Sequence, residues 1–433
     1  MVKISHLLNR GQKPSMKNDC VKLLLIVVAV IVVIAVVAVM YKMKTVSTDI
    51  PDIPLEVSNA PLTDRSFLTA SGADIVDRDG NTVLLCGVNL GGWLLQEYWM
   101  CPVNGEPKIE KWTEHQTVEV LEERFGREKT EALFETYRDN WITEWDLKNI
   151  ASIGCNTVRV PFWYRNFMYD DGTWIYENPD NNPGFKRLDW VIETAGKYGL
   201  YVVLDMHGCP GGQSTDHCTG LYNTMKLYSE EKYADMMEEL WLAISERYRN
   251  EPVVAAYDIM NEPLSGYSGD ARKNPVTLIY DRMYKAIRKV GDEHIIMMEA
   301  IWDFPMLPYP ETMGWENCVY EVHWYGSLDP LDCARRASEY ANSHSVPVYM
   351  GEFNNYGLYG ACEKYGISCT AWTYKGIMDY PEWFMFSPHE HGIMRADIYN
   401  DSYEDIMEKW GAALDTRYFS ENNAATVFFR NRK

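Results

Sequence analysis

The sequence predicts an α/β protein built as a (β/α)8 TIM barrel, with a transmembrane helix at its N-terminus. Three observations carry that prediction: eight short apolar runs at strand length, helical patterns between them, and one long charge-free run near the start.

The apolar runs are LLCGVNL (Leu84 to Leu90), NTVRVPF (Asn156 to Phe162), LYVVLDMH (Leu200 to His207) and VVAAYDIMNE (Val253 to Glu262). They continue as HIIMMEA (His294 to Ala300), CVYEVHWY (Cys318 to Tyr325), VPVYMGEF (Val346 to Phe353) and CTAWTY (Cys369 to Tyr374). Their cores lack polar/apolar alternation, so both faces are expected to be buried, as in a parallel sheet. Helical periodicity fills gaps at Phe185 to Tyr198, Tyr233 to Tyr248, Pro275 to Val290 and Asp332 to Ser343. A strand followed by a helix, eight times over, is the pattern of a barrel. A doubly wound open sheet is the rival, but no glycine-rich phosphate loop follows the first run.

The run from Leu23 to Met40 holds eighteen residues without a charge and follows Lys3, Arg10, Lys13, Lys17 and Lys22. This reads as a cytoplasmic tail (1–22), a signal anchor (23–40), a Pro- and Asp-rich linker (41–70) and a catalytic domain (71–433). A secretory signal cleaved after Ala38 is the alternative, and under either reading the remainder lies outside the cytoplasm, with the cell membrane as the expected location. Residues 45–433 carry 34 Lys and Arg against 61 Asp and Glu, a net of −27. That charge repels nucleic acid and anionic polymers and suits a domain, expected to be monomeric, that acts on a neutral polymer.

Nine cysteines follow the apolar run. Cys86 and Cys155 read as small buried hydrophobes, whereas Cys209 with Cys218, Cys318 with Cys333, and Cys362 with Cys369 are close enough in sequence to staple loops. His207, Cys209, His217 and Cys218 match no standard zinc spacing, so a disulfide is the simpler expectation there. No serine sits in a nucleophile elbow.

Barrel chemistry collects at the C-terminal ends of the strands. Those ends are polar here: Arg159, His207, Asn261 with Glu262, His323 with Tyr325, Glu352, and Trp372. Glycoside cleavage needs one carboxyl to protonate the leaving oxygen and a second to attack or stabilise the sugar carbon. Glu262 as acid/base and Glu352 as nucleophile supply that pair, with like-charge repulsion keeping the proton on Glu262. No metal or organic cofactor is implied.

The triplets NEP (Asn261 to Pro263) and GEF (Gly351 to Phe353) resemble the glycoside hydrolase family 5 enzymes of the cellulase clan. The longer segments GVNLGGWLLQE (Gly87 to Glu97), WITEWDLKNIASIGCNTVRVPF (Trp141 to Phe162) and DMHGCPGGQS (Asp205 to Ser214) look like its exo-β-1,3-glucanase branch. The resemblance runs from Ser71 to Trp383 and implies a retaining double displacement on β-glucan. It implies that Asn261 binds the sugar 2-hydroxyl, that Arg159 and Tyr325 hold the nucleophile, and that His323 adjoins the acid/base. Glu97 and His207 would grip the sugar on the non-reducing side, over a floor formed by Trp372. Two departures bear on substrate. Tyr98 and Trp99 follow Glu97 where that branch has proline and phenylalanine, and EVHWY replaces a histidine-richer strand. Endo-β-1,4-glucanase, mannanase and a non-catalytic glycan-binding protein therefore remain alternatives, and Trp302, Trp324, Trp383 and Phe384 are candidates for sugar stacking or for plain core.

Overall fold

The computed structural model describes residues 54–104, 112–300, 306–377, 382–388 and 395–432. The segment 23–40 expected to span a membrane lies outside the described residues, as does Trp302; among the described residues no helix is long and apolar enough to cross a membrane.

Eight parallel strands close into a barrel: β1 (Cys86–Asn89), β2 (Thr157–Trp163), β3 (Tyr201–Gly208), β4 (Val254–Asp258), β5 (Ile295–Glu299), β6 (Cys318–Trp324), β7 (Val348–Phe353) and β8 (Ser368–Ala371). Each coincides with one of the eight apolar runs, and β8 closes the ring by pairing Cys369, Thr370 and Ala371 with Cys86, Gly87 and Val88 of β1. Nearly every strand residue is buried, which explains why the runs show no alternation.

The β1 to β2 connection is the longest and holds α1 (Glu114–Phe125), α2 (Arg127–Trp141) and α3 (Glu144–Ile153). The later crossovers are α4 (Pro183–Lys197), α5 (Glu231–Tyr248), α6 (Pro275–Lys289), the short α7 (Pro310–Met313), α8 (Pro330–His344) and α9 (Gly357–Tyr365). α4 and α8 start two residues before their apolar periodicity does. Each opens on a capped proline: Asn182 accepts from the Gly184 amide and Asp329 from the Leu331 amide, with Pro183 and Pro330 at the first helical position. Two short helices, α10 (Tyr403–Lys409) and α11 (Asn423–Arg430), follow the barrel.

Residues 54–70 were expected to be linker, yet part of this stretch packs on the barrel's N-terminal end. Phe67 and Leu68 are buried, and the Asn59 side chain donates to the Cys155 carbonyl at 2.8 Å. Two adjacent apolar side chains outweigh the polar, proline-rich composition around them.

The expected disulfides are absent, since all nine described cysteines are buried free thiols. Of the pairs close in sequence, Cys209 and Cys218 point apart, while the Cys362 thiol stays beside Cys369 as a free thiol. Cys209 at the end of β3 turns toward the Met206 carbonyl, while the Cys218 thiol faces Glu262 at 3.6 Å. Cys369 lies beside Cys86, sulfur to sulfur 4.0 Å, across the β1/β8 seam. Cys86 and Cys155 are the small core residues their surroundings suggested.

Candidate active site

Arg159, fully buried on β2, organises the floor of the barrel mouth. Its guanidinium meets Asp205 of β3 at 3.1 Å, Asp258 of β4 at 2.7 Å, Glu321 of β6 at 3.5 Å and Glu352 of β7 at 2.8 Å. Asn89 of β1 accepts from the same group at 3.1 Å, and its amide nitrogen donates to the Gly351 carbonyl. Gly351 must be glycine, because a Cβ there would sit 1.6 Å from the Glu321 carboxylate. One arginine thereby fixes the nucleophile candidate against five other strands.

Glu352 receives two donors, Arg159 Nη1 on one carboxylate oxygen and the Tyr325 hydroxyl on the other, each at 2.8 Å. Burial pushes its pKa up, and Arg159 opposes that push. Glu262 stands just beyond β4 with φ +43°, a left-handed conformation rare for glutamate, and its amide donates to Glu299 at the end of β5. Its carboxyl meets His323 Nδ1 at 2.9 Å and the Cys218 thiol. Burial raises the Glu262 pKa, and the charge of Glu97 adds to the rise while His207 opposes it. The decisive difference is the donor set: two strong donors favour the carboxylate on Glu352, and Glu262 has no cation in contact.

His323 Nδ1 also lies 3.5 Å from the Glu352 carboxylate. Adding that to its 2.9 Å contact with Glu262 caps the separation of those oxygens at about 6.4 Å, below the roughly 6.5–9.5 Å of inverting enzymes. Burial holds the His323 pKa down at about 3, so the imidazole is neutral and can accept the Glu262 proton in a hydrogen bond. His207 is the opposite case. Burial alone would lower it, but Asp205 at 2.7 Å raises it to about 9, and the cationic ring stacks on Trp372 with centroids 5.3 Å apart.

Glu97, His207, Asn261, Glu262, Tyr325, Glu352 and Trp372 line one open pocket of about 470 Å³, with Arg159 and His323 directly beneath it. All nine residues singled out from the sequence are therefore brought together. Asn261 Oδ1 accepts from Arg159 at 2.9 Å, leaving its buried Nδ2 without a protein acceptor. Glu97 is buried, yet the neighbouring His217 brings its pKa down, and Trp99 Nε1 donates to it at 2.9 Å. Trp383 reaches the pocket rim, whereas Phe384 is core and stacks on Trp99. Trp324 is half-buried outside the pocket lining.

Sequence reasoning missed the buried acids beneath the pocket. Glu321 and His323 occupy alternate positions on β6, with Tyr325 in step just beyond it, as Asp205 and His207 do on β3, so period-2 placement was the available signal. Burial, reinforced by neighbouring acids, lifts Glu299 and Glu321 well above the ordinary carboxylate range. Among the described residues, Glu262, Glu299 and His323 form the one group whose ligand atoms could surround a metal; His207, Cys209, His217 and Cys218 do not form another.

A barrel whose mouth holds a glutamate pair on strands four and seven defines a class, the (β/α)8 proteins equipped for glycosidic chemistry. A sequence profile described as "Cellulase (glycosyl hydrolase family 5)" matches residues 117–376, more than half the chain, and the protein belongs to that family. It is 34% identical over 264 residues to a protein of Phanerodontia chrysosporium named "Beta-xylosidase", covering 60% of this chain and 52% of that relative. It is 27% identical over 304 residues to "Probable glucan 1,3-beta-glucosidase A" of Aspergillus clavatus, covering 64% and 66%. The chain thus spans about half the length of the first and just under two thirds of the second. A solved endogalactoceramidase shares the fold at TM-score 0.52 and 20% identity, over 72% of this chain and 75% of that one.

Tyr325→Phe removes one of the two donors holding Glu352 ionised. Loss of a hydrogen bond to a charged group costs about 1.5–3 kcal/mol, roughly 10- to 150-fold in rate. The Glu352 pKa then rises, so the acid limb of the kcat/KM profile moves to higher pH while the alkaline limb stays. A uniform loss without movement of that limb would contradict the assignment.

Proposed function

We propose that this chain is a retaining β-glycoside hydrolase acting on β-glucan, with β-1,3-linked chains as the first candidate substrate. The observation that carries the proposal is the approach of Glu262 and Glu352 to one imidazole nitrogen, at 2.9 and 3.5 Å, which keeps their carboxyl oxygens within the reach of a single sugar carbon. The names of the relatives support glucan as substrate. The "Beta-xylosidase" name favours a β-xyloside as a second reading.

In the first step Glu352 Oε attacks the anomeric carbon while Glu262 delivers its proton to the departing oxygen. The glycosyl ester on Glu352 carries no charge, so the repulsion on Glu262 falls, and Glu262 deprotonates the water that releases the sugar. Asn261 Nδ2 is placed to donate to the 2-hydroxyl. Glu97, ionised, and His207, cationic, accept from and donate to the hydroxyls of a sugar lying on Trp372.

Glu352→Gln is expected to abolish turnover while leaving oligosaccharide binding intact. Glu262→Ala should cost about 10²- to 10⁴-fold on natural substrates, much less on aryl glycosides with good leaving groups, and be rescued by azide to give the β-glycosyl azide. Proton NMR of the first-formed anomer across β-1,3-, β-1,4- and β-xylo-oligosaccharides reads linkage and stereochemistry together. An α first product, or no turnover of any of them by wild type, defeats the proposal and favours a non-catalytic glycan binder.

We further propose that residues 23–40 hold the chain in a membrane, on the strength of their charge-free length and the basic residues before them. The full chain should stay in the membrane pellet after an alkaline carbonate wash, whereas a chain beginning at Pro54 should be soluble. Full-length protein recovered in the wash would overturn this.

A further inference from the structure

A second cleft, of about 720 Å³, opens on the flank of the barrel between α1, α2, the loop following β2, and the first turns of α4. It is larger than the catalytic pocket and shares no lining residue with it.

Three features of the lining bear on what the cleft takes. The first is charge balance, since five basic side chains face five acidic ones. Several of these are already paired. Arg187 binds Glu135 and Asp139, each at 2.6 Å; Arg138 meets Glu114 and Glu135, each at 3.4 Å; and Arg165 meets Asp170 at 3.0 Å. A lining neutral overall attracts neither anions nor cations strongly.

The second feature is a set of unmet donors. Arg138 Nε, Arg165 Nη1 and Asn166 Nδ2 are buried atoms with no protein acceptor, and all three residues line the cleft. Asn166 is 5% exposed, and its orientation is set by Oδ1, which accepts from the Trp163 amide at 2.8 Å. Buried N–H groups without a partner are costly, and a ligand bearing oxygen acceptors removes that cost.

The third feature is aromatic surface. Tyr176 is 56% exposed at the cleft, and half-buried Tyr169 and Trp190 lie along it. Trp190 is braced edge-on by Trp93 with centroids 5.6 Å apart. A lining without net charge, fixed donors and flat apolar rings together match a polyhydroxylated chain, whose hydroxyl oxygens accept hydrogen bonds and whose ring C–H faces pack on aromatics.

We propose that this flank cleft is a second, non-catalytic binding site for a neutral glycan chain, holding the polymer beside the catalytic pocket. The inference rests on β-glucan being the substrate class, and its test is separable from that reading. Isothermal titration of the Glu352→Gln variant with laminarihexaose is expected to show two sites per chain. Adding Tyr176→Ala, or Asn166→Asp, which keeps the Oδ1 contact and removes the donor, should leave one. In the active enzyme the same changes should leave kcat/KM on a short aryl β-glucoside within about twofold and weaken binding to insoluble β-1,3-glucan by roughly tenfold, about 1.4 kcal/mol. One site per chain in Glu352→Gln, two sites in both cleft variants, or a cleft filled by inorganic phosphate in preference to the hexaose would overturn the proposal. If wild type cleaves no β-glycan while the cleft variants still lose one site, the proposed activity falls and this inference stands.

Discussion

The contact between Arg159 and Glu352 is the constraint on which the rest of the site depends. A guanidinium with no solvent exposure is tolerable only because acids from four other strands surround it. Removing one partner from such a buried set typically costs about 3–5 kcal/mol, since it strands a charge without water. The barrel supplies the geometry at little further cost. Parallel strands bring side chains from several strands to a common level, so Arg159, Asp205, Asp258, Glu321 and Glu352 converge, with a register shift between Met350 and Glu352 on β7. Glu262 takes a left-handed backbone conformation, and its amide is held by Glu299.

That electrostatic floor separates the two glutamates more than their burial does. Glu352 sits between a permanent cation and a phenol and is suited to remain a carboxylate. Glu262 sits between a neutral imidazole and a thiol, with the charge of Glu97 nearby, and is suited to keep its proton. His323 is kept neutral by its burial. Were it cationic, it would draw the proton off Glu262 and remove the acid that the first step needs.

The barrel was legible because its signal is repeated. Eight buried strands each interrupt helical periodicity, and every one coincides with an apolar run. The site was legible where the polar residue lay at or near the end of a run, as with His207, Glu262 and Glu352, and Arg159, in the middle of β2, was legible as a lone charge among apolar neighbours. It was illegible where an acid lay within a strand: Asp205, Asp258, Glu299 and Glu321 are surrounded in sequence by apolar residues, and only their partners in space explain them. The cysteines misled for the opposite reason. Proximity in sequence suggested staples, but the Cys209 thiol turns to the Met206 carbonyl and the Cys218 thiol to Glu262. Residues 59–68 misled through composition, because Phe67 and Leu68 are too few to register as a pattern and are still enough to dock.

The account's central claim is that Glu352 forms a bond to the sugar carbon. Incubation with an activated 2-deoxy-2-fluoro-β-glucoside, followed by peptide mass spectrometry, tests it most directly. The account predicts time-dependent inactivation and one fluoroglucosyl group on the peptide carrying Gly351, Glu352 and Phe353. Inactivation with the label on another carboxylate, or steady turnover of the reagent with release of an inverted product, would contradict it.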